Sequence, residues 1–391
     1  MNYTFSDRIA GMKPSAIREI LKNTSDPSII PFAAGNPAPE AFPVEAVRRI
    51  TDEILSEHPI AALQYSITEG YPALKERVRA LAAEVSAVGP DDELIITSGA
   101  QQGIELACKV LCNEGDTVIC EDPSFIGSLN SFRSTGAKLA GVPMDEDGMK
   151  LDVLEDALKN GSNVRLIYVI PNFQNPSGRT TSAEKRRAIY ELAKKYGVMI
   201  LEDDPYGRLR FSGQDIPTIK SLDNDGIVIY CGSFSKILSP GLRVGYVIAR
   251  SPIIAKITVA KQCEDVHTTI LSQMIAERFL AETDMAAHFN KLREIYRHKS
   301  SLMLSAMEEH FSHDIRWTKP EGGLFLWCTL PHGSDMPEYC RRAIANKVAV
   351  VPGIAFNPDE TAPSDCFRMN YSTPTDEQIV RGVEILGKTD F

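Results

Sequence analysis

Short apolar runs alternate with longer amphipathic segments through the middle of the chain. Five of these runs predict strands, at residues 94–97, 117–120, 165–170, 198–201 and 227–231, and a further apolar run follows at 244–249. Between them, the segment after residue 103 places Ile104, Ala107 and Leu111 on one face, and residues 183–196 form a charged helical segment. Strands that alternate with helices are typical of an α/β fold with a mainly parallel central sheet.

The two ends of the chain follow a different pattern. Residues 14–22 predict a short helix, and the prolines of residues 30–43 predict an irregular arm that something else covers. Beyond residue 253, long helical patterns continue to about residue 309. A mixed tail follows, with strands predicted at 322–330, 348–351 and 367–373 and helices near 336–346 and after Thr373. We expect three parts: a helix and arm over 1–44 that pack with the small domain, a large domain over 45–285, and a small α+β domain over 286–391.

Composition and charge exclude several classes of protein. The 391 residues are 43% hydrophobic and 24% charged, and their net charge of −10 argues against nucleic-acid binding. No apolar run approaches the length of a membrane span, and the first residues lack the organisation of a secretion signal. The eight cysteines are scattered without a C-x-x-C pair, and the seven histidines lack metal-ligand spacing. We expect a cytoplasmic protein that needs no metal and contacts neither membranes nor nucleic acid.

A lysine follows the apolar run at 227–231, in the sequence C-G-S-F-S-K-I-L-S-P-G-L-R-V-G-Y over residues 231–246. Lys236 has Ser233 and Ser235 just before it, and Arg243 comes seven residues later. This combination suits a phosphorylated aldehyde, because the amine can form a Schiff base while hydroxyls and guanidinium hold the phosphate. The alternative for this stretch alone is a surface lysine and arginine in ordinary salt bridges.

Other polar motifs also stand directly after predicted strands, where ligands of parallel sheets gather. Residues 98–103 form a strand-to-helix junction that can bind an anion through free backbone N–H groups. Asp203 and Tyr206 follow the run at 198–201, and Asn175 begins an N-P-S-G sequence. Each motif alone also has an ordinary explanation: glycine makes corners, Asn-Pro makes turns, Phe125 packs in a core, and an arginine such as Arg368 faces solvent.

Taken together, these motifs resemble the fold-type I pyridoxal-phosphate aminotransferases of class I/II. The lysine segment resembles S-x-S-K followed by G-x-R-x-G-[YW], residues 203–206 resemble D-x-x-Y, and residues 175–178 resemble N-P-[TS]-G. The resemblance runs from Pro14 to the terminal helix. It is nearest to the 2-aminoadipate and kynurenine aminotransferase-like subgroup, where an opening helix carries S-x-x-R, here Ser15 and Arg18.

The resemblance assigns roles to individual residues around pyridoxal 5'-phosphate. Lys236 is expected to hold the cofactor as a Schiff base and to move a proton from the substrate Cα to the cofactor C4′, with Asp203 on the ring nitrogen and Tyr206 on the ring oxygen. The remaining cofactor contacts are expected from Gly99, Ala100, Gln101, Phe125, Asn175, Ser233, Ser235 and Arg243, with Tyr65 reaching across a dimer interface. Substrate contacts are expected from Gly35, Asn175, Arg368, Ser15 and Arg18.

Two of these positions depart from the family pattern. Ala100 stands where a small or hydroxyl residue is usual, and it has no hydroxyl to offer the phosphate. Backbone amides and Gln101 are therefore expected to contribute more to phosphate binding. Phe125 replaces a frequent tyrosine or tryptophan, which keeps a stacking face and loses a polar group. Arg368 is expected to bind the substrate α-carboxylate through a bidentate fork, and Arg18 a distal carboxylate.

The resemblance implies a homodimeric aminotransferase that moves the amino group of an α-amino acid to a 2-oxo acid by a ping-pong mechanism. We expect 2-oxoglutarate as the acceptor. One alternative is a β-lyase of the same fold, since the same cofactor contacts serve both reactions. A second is a non-catalytic, cofactor-sensing module of a transcription regulator. We disfavour it because the pattern begins near residue 14, which leaves no room for the helix-turn-helix domain that such regulators carry. A degenerate non-catalytic copy is also disfavoured, because Lys236 and its partners are all present.

Overall fold

The computed structural model describes residues 3–12 and 26–391. The helix predicted over residues 14–22, with Ser15 and Arg18, lies outside the described residues. Helix α1 (Asp7–Ala10) precedes this gap and packs near residues 126–134.

An eight-stranded sheet forms the centre of the molecule, in the order β1–β8–β7–β6–β5–β2–β3–β4. Its strands are β1 (Asp92–Thr97), β2 (Thr117–Asp122), β3 (Lys138–Asp145), β4 (Gly148–Met149), β5 (Val164–Val169), β6 (Met199–Asp204), β7 (Val228–Ser233) and β8 (Gly245–Arg250). β3, β2, β5, β6 and β7 are paired in parallel, and β8 runs antiparallel to both β7 and β1. The α/β fold with a mostly parallel sheet is confirmed. All five strands predicted for this region are present, and the apolar run at 244–249 forms β8.

Helices cover both faces of this sheet. They are α2 (Val44–Glu57), α3 (Pro59–Leu63), α4 (Pro72–Ala83), α5 (Ala100–Leu111), α6 (Ile126–Ser134), α7 (Leu151–Asn160), α8 (Ala183–Tyr196), α9 (Ser251–Gln262) and α10 (Ile270–Glu282). Ile167 and Ile200 pack with α7 and α8 on one face, whereas Leu166 and Leu201 belong to the main core on the other. Since neighbouring strand residues point to opposite faces, strands covered on both sides appear in the sequence as continuous apolar runs.

Helix α8 has the bounds that the sequence predicts. Ser182 caps its first turn by accepting a hydrogen bond from the Lys185 backbone N–H at 3.3 Å. Gly197 ends it in the left-handed conformation, with φ +68°. Both signals are local, which is why the pattern alone located this helix.

A second, antiparallel sheet of four strands lies in the C-terminal region, in the order β11–β12–β10–β9. Its elements are α11 (Met285–His310), β9 (Arg316–Trp317), β10 (Phe325–Thr329), α12 (Met336–Ala345), β11 (Val351–Pro352), β12 (Cys366–Asn370) and α13 (Asp376–Gly387). The last helix begins after Thr375, which forms a capping box with Gln378, rather than at Thr373. The division of the chain near residues 44 and 285 stays a prediction.

The proline-rich arm packs against this second sheet. Phe32, Ala33 and Ala38 are fully buried, and the Asn370 backbone N–H donates to the Phe32 carbonyl at 2.9 Å. Ile30 pairs with Val348, so the strand predicted at 348–351 is shared between the arm and the short β11. Apart from a single 3-10 turn at Pro39–Ala41, the arm is irregular, as its prolines predict. Residues 33–36 of the arm lie beside the carboxyl ends of the large sheet, where the Gly35 and Ala33 carbonyls accept hydrogen bonds from Lys236 and Arg368.

None of the helices in the described ranges combines the length and the apolar character needed to cross a membrane.

Candidate active site

The carboxyl ends of the parallel strands meet at one edge of the large sheet, and most of the predicted site residues lie there. β6 ends with Asp203 and Asp204, β7 leads into the turn that carries Lys236, and β5 leads to Asn175. β1 runs in the same direction, because β8 is antiparallel to both of its neighbours, and it leads to the 98–103 turn. The sheet therefore assembles motifs that are far apart in sequence, as parallel topology predicts.

The amine of Lys236 points to the arm. Its Nζ donates a hydrogen bond to the Gly35 carbonyl oxygen at 2.6 Å. Burial, together with the smaller effects of the nearby charges of Arg368 and Arg243, lowers the pKa of Lys236 to about 8. A substantial fraction of this amine is therefore neutral near pH 7 to 8, which both a nucleophile and a general base require.

Asp203 is a buried carboxylate with one free oxygen. Its side chain is 2% exposed, and Oδ2 accepts a hydrogen bond from the Tyr168 hydroxyl at 2.8 Å. Oδ1 has no hydrogen-bond partner among the described residues. Burial raises the pKa of Asp203 to about 7, so its ionised form lacks a stabilising positive partner. A protonated pyridine nitrogen supplies a donor and a charge of the required kind, so this residue fits pyridoxal phosphate.

The two acidic neighbours of Asp203 point away from it. Strand side chains alternate between faces, so Glu202 and Asp204 lie on the opposite side of β6. Glu202 accepts from the backbone N–H groups of Ile219 and Lys220 at 2.8 and 2.7 Å. Asp204 accepts from the Tyr230 hydroxyl at 3.0 Å. Both carboxylates are already occupied, which leaves Asp203 as the free one.

The turn from β1 into α5 forms an anion-binding corner. Gly99 adopts φ +81° at the start of α5, and the first helical N–H groups after it have no carbonyl partner within the helix. Arg243 crosses this corner: its Nη2 donates to the Ser98 carbonyl at 3.2 Å and would lie 2.3 Å from a Cβ at Gly99. Arg243 has no ion-pair partner in the described part of the chain. Glycine and a free guanidinium at a helix N-terminus fit a phosphate.

The other predicted phosphate contacts are arranged less directly. The Gln101 carboxamide donates to the Gly127 carbonyl at 2.8 Å and to the Ser131 hydroxyl at 2.6 Å. Its side chain therefore ties α5 to α6, and only its backbone N–H, like that of Ala100, faces the corner by helix geometry. The Ser233 hydroxyl accepts from the Ser235 backbone N–H at 3.1 Å, which shapes the turn before Lys236.

Arg368 carries a buried charge that no acidic residue in the described ranges neutralises. Nη1 donates to Asn175 Oδ1 at 2.9 Å, Nη2 donates to the Ala33 carbonyl at 2.8 Å, and Nε has no partner among the described residues. The guanidinium carbon lies 4.3 and 5.1 Å from the ring centroids of Phe325 and Phe356. Burial lowers the pKa of Arg368 to about 10, which still leaves the group charged at neutral pH. Such a cation lacks a carboxylate partner, and a substrate can bring one.

The remaining predicted residues are placed as follows. Tyr206 is buried edge-on against Phe325 at 5.9 Å, and burial raises the pKa of its phenol. Phe125 is half-buried directly before α6. Its ring packs so closely on Gly127 that a Cβ at that position would clash with it. Tyr65 is 82% exposed, and among the described residues its ring has one ring contact, edge-on with His267 at 6.0 Å. Within the described part of one chain, Tyr65 therefore contacts none of the other predicted site residues.

Several residues that the sequence did not single out support this site. The Tyr168 hydroxyl donates to Asp203, and the rings of Phe325 and Phe356 pack against the Arg368 guanidinium. Glu121 is buried and accepts from Gln174 Nε2 at 3.1 Å, while Gln174 Oε1 accepts from the Ser177 backbone N–H at 2.9 Å. Burial raises the pKa of Glu121 to about 8. An acidic residue at the end of the apolar run 117–120 was a visible signal for Glu121, whereas aromatic residues in strands gave none.

Comparison with known proteins identifies close relatives. The aminotransferase class I and II family model matches residues 27–386. The chain is 39% identical over 394 residues to aromatic-amino-acid aminotransferase 1 of Thermococcus litoralis, covering 98% of this chain and 93% of that protein. It is 40% identical over 380 residues to 2-aminoadipate transaminase of Thermus thermophilus, covering 96% and 94%. A crystal structure of Pyrococcus horikoshii kynurenine aminotransferase in complex with PMP matches with a TM-score of 0.94 and 38% identity, covering 98% and 96%.

Proposed function

The chain belongs to the class I and II aminotransferases, and on that premise we propose how its own residues hold pyridoxal phosphate and move an amino group. The protein is an enzyme of fold type I that transfers the amino group of an amino acid, with pyridoxal phosphate as its cofactor. The bound cofactor supplies a protonated ring that withdraws electrons from the substrate carbon next to the transferred nitrogen. The residue roles below are our assignments.

Residues at the carboxyl edge of the large sheet would hold the aldehyde, the ring and the phosphate of the cofactor. Lys236 would bind the aldehyde carbon covalently, and Asp203 would accept the hydrogen of the ring nitrogen. The free N–H groups after Gly99, together with Arg243, Ser233 and Ser235, bind the phosphate. Phe125 supplies a face for the ring, and Asn175 and Tyr206 donate to the ring oxygen. Two features of the described residues support this placement: Asp203 Oδ1 has no hydrogen-bond partner, and Arg243 donates to backbone carbonyls without forming an ion pair.

Lys236 is the residue that moves the proton. Its Nζ would accept the proton that leaves the substrate Cα. A pKa near 8 leaves part of the amine neutral at neutral pH. The Gly35 carbonyl holds one amine hydrogen at 2.6 Å and so limits the directions in which the nitrogen lone pair can point. The arm is therefore part of the catalytic arrangement.

The single observation that carries the substrate assignment is the buried, unneutralised charge of Arg368. A substrate α-carboxylate accepts hydrogen bonds from this guanidinium and replaces the carbonyl and amide oxygens that now satisfy it. The aromatic rings of Phe325 and Phe356 hold the guanidinium plane in position. Every α-amino acid and every 2-oxo acid carries this carboxylate, so Arg368 serves both halves of a ping-pong reaction.

We assign 2-oxoglutarate as the acceptor and a large or acidic amino acid as the donor. The names of the relatives, an aromatic-amino-acid aminotransferase and a 2-aminoadipate transaminase, support this range. Ser15 and Arg18 are assigned to the distal end of the substrate on the strength of the S-x-x-R sequence. In this assignment Arg18→Ala lowers kcat/KM for glutamate and 2-aminoadipate about 10- to 100-fold, because one charged contact is lost, and leaves that for leucine unchanged. Equal losses for acidic and neutral donors would contradict it.

We assign the active form as a homodimer in the cytoplasm. An exposed apolar surface supports the dimer, since patches of this kind mark interaction sites. Its members are Ile60, Leu63, Tyr65, Ile67 and Val266. In this assembly Tyr65 of each subunit donates to the phosphate held by the other.

One experiment separates transamination from its main alternative. A panel of amino acids is incubated with enzyme and 2-oxoglutarate, and both loss of the donor and formation of glutamate are measured. Transamination gives equal amounts of glutamate and of the new 2-oxo acid. Pyruvate and ammonia released from cysteine-like substrates without any added 2-oxo acid would instead show a β-lyase. Binding of pyridoxal phosphate with neither reaction would favour a sensing module.

A further inference from the structure

A buried chain of hydroxyl groups ends on the free carboxylate of the site. The Tyr168 hydroxyl on β5 donates to Asp203 Oδ2 at 2.8 Å, and the Ser128 hydroxyl on α6 donates to the Tyr168 oxygen at 2.7 Å. Tyr168 and Ser128 have no exposed surface. A phenol has one hydrogen, so accepting from Ser128 and donating to Asp203 fixes the direction of the whole chain.

Burial and the neighbouring carboxylate of Asp204 on β6 both disfavour the charged form of Asp203. Its charge in turn raises the pKa values of Glu121 at the end of β2 and of the Cys231 thiol on β7. No cation in the described ranges forms an ion pair with Asp203. Among the described residues, Tyr168 is its one hydrogen-bond donor, and this bond lowers the pKa of Asp203 against the raising effect of burial.

We propose that Tyr168 is a positioning residue for the cofactor, whose hydroxyl keeps Asp203 ionised and turned so that its other oxygen meets the ring nitrogen. This inference rests on the proposed role of Asp203. Without the phenol, the proton shared between the ring nitrogen and Asp203 moves towards the carboxylate, because no other donor stabilises the anion. The ring then loses charge, and the cofactor loses its charge-assisted hydrogen bond.

The Tyr168→Phe variant tests this with little change in packing. Residue 168 keeps its ring contact with Phe132, whose centroid lies 5.3 Å away. The full-length apoenzyme is titrated with pyridoxal phosphate and with a carbocyclic analogue in which CH replaces the ring nitrogen. We expect wild type to prefer pyridoxal phosphate. Tyr168→Phe should raise the Kd of pyridoxal phosphate about 10-fold, which corresponds to about 1.4 kcal/mol, and leave the Kd of the analogue unchanged.

Tyr230→Phe is the matched control. Tyr230 is also buried, and its hydroxyl donates at 3.0 Å to Asp204, the carboxylate on the opposite face of β6. Both variants lose a buried bond to a carboxylate, so both should lower the midpoint of thermal unfolding, but only Tyr168→Phe should change cofactor affinity.

Two results would overturn the inference: an unchanged Kd for pyridoxal phosphate in Tyr168→Phe, or equal rises for both cofactors, which would indicate a purely structural role. A failure of the premise has a different signature. If wild type binds both cofactors with equal Kd, Asp203 does not contact the ring nitrogen, whatever Tyr168 does.

Discussion

The cofactor side and the substrate side of the candidate active site are built in different ways. The cofactor side consists of the ends of strands within one sheet: Asp203 closes β6, and Lys236 stands in the turn after β7. On the substrate side, Arg368 belongs to β12 of the second sheet, and its partners are Asn175 from the large sheet and Ala33 from the arm. One side is thus set by the topology of a single sheet, and the other by the packing of three separate segments.

This difference separates two kinds of change. A substitution on the substrate side should alter substrate binding and leave the cofactor in place, since the two sides use different residues. The sides meet at the lysine: Gly35 of the arm accepts from Lys236, and the charge of Arg368 contributes to the lowered pKa of its amine. The predictions below test this separation, from the largest expected effect to the smallest.

Removing the lysine should abolish the reaction. In Lys236→Ala we expect kcat to fall about 10⁴-fold or more, because both the covalent attachment and the proton transfer are lost. The measurement is the rate of 2-oxo acid formation, together with the visible absorbance of the bound cofactor. Lys319→Ala is the control, since Lys319 is exposed and Glu308 is its ion-pair partner in the described part of the chain. A variant that kept its turnover and its absorbance band would contradict the assignment of Lys236.

Replacing Arg368 should affect only the substrate side. Arg368→Lys keeps the charge but cannot offer two parallel N–H groups, so we expect kcat/KM to fall about 100-fold for every amino acid tested. The Kd of pyridoxal phosphate should stay within about 2-fold of wild type, since Arg368 is not assigned to the cofactor. Arg316→Lys on the exposed end of the same sheet provides the control. An equal loss of cofactor affinity would break the separation between the two sides.

Tyr65 should act only across the dimer. We expect Tyr65→Phe to raise the Kd of pyridoxal phosphate about 10-fold, because one hydrogen bond to a charged phosphate is lost. Mixing Tyr65→Phe with inactive Lys236→Ala subunits should restore activity, since one site of each mixed dimer then combines a normal lysine with a normal tyrosine. If subunit exchange produced no activity above that of Tyr65→Phe alone, Tyr65 would not serve the partner subunit.

The smallest effect concerns the pH at which the lysine becomes reactive. The neutral amine attacks the aldehyde, so the rate at which apoenzyme combines with pyridoxal phosphate should rise with pH through about 8 and level off above it. Arg368→Leu removes a positive charge near the amine, which makes protonation easier and moves the midpoint to higher pH. Stopped-flow absorbance across pH 6 to 10 measures this midpoint. An unperturbed lysine would instead give a midpoint at about 10.4. A midpoint that stays in place would show that the two sides are electrically independent.

Much of the cofactor side could be predicted because its signals are local. A strand, a turn and the polar residue after it are neighbours in sequence, so the approach of 227–231 to Lys236 and the bounds of α8 needed no long-range information. Parallel topology then required these strand ends to meet at one edge. The choice among Glu202, Asp203 and Asp204 followed a family pattern in the sequence, and the alternation of side chains along β6 supplied its physical reason.

The substrate side and the support of Asp203 could not be predicted in the same way. Arg368 is one arginine in a strand, and only the packing of the second sheet against the arm surrounds it with Asn175 and two aromatic rings. Tyr168 is one residue of an apolar run until β5 is placed beside β6.

The sequence by itself therefore determined the alternating fold, the polar residues that follow the strand ends and the family. The tertiary structure decided which charges are left without partners, since burial and pairing depend on residues that are distant in the chain.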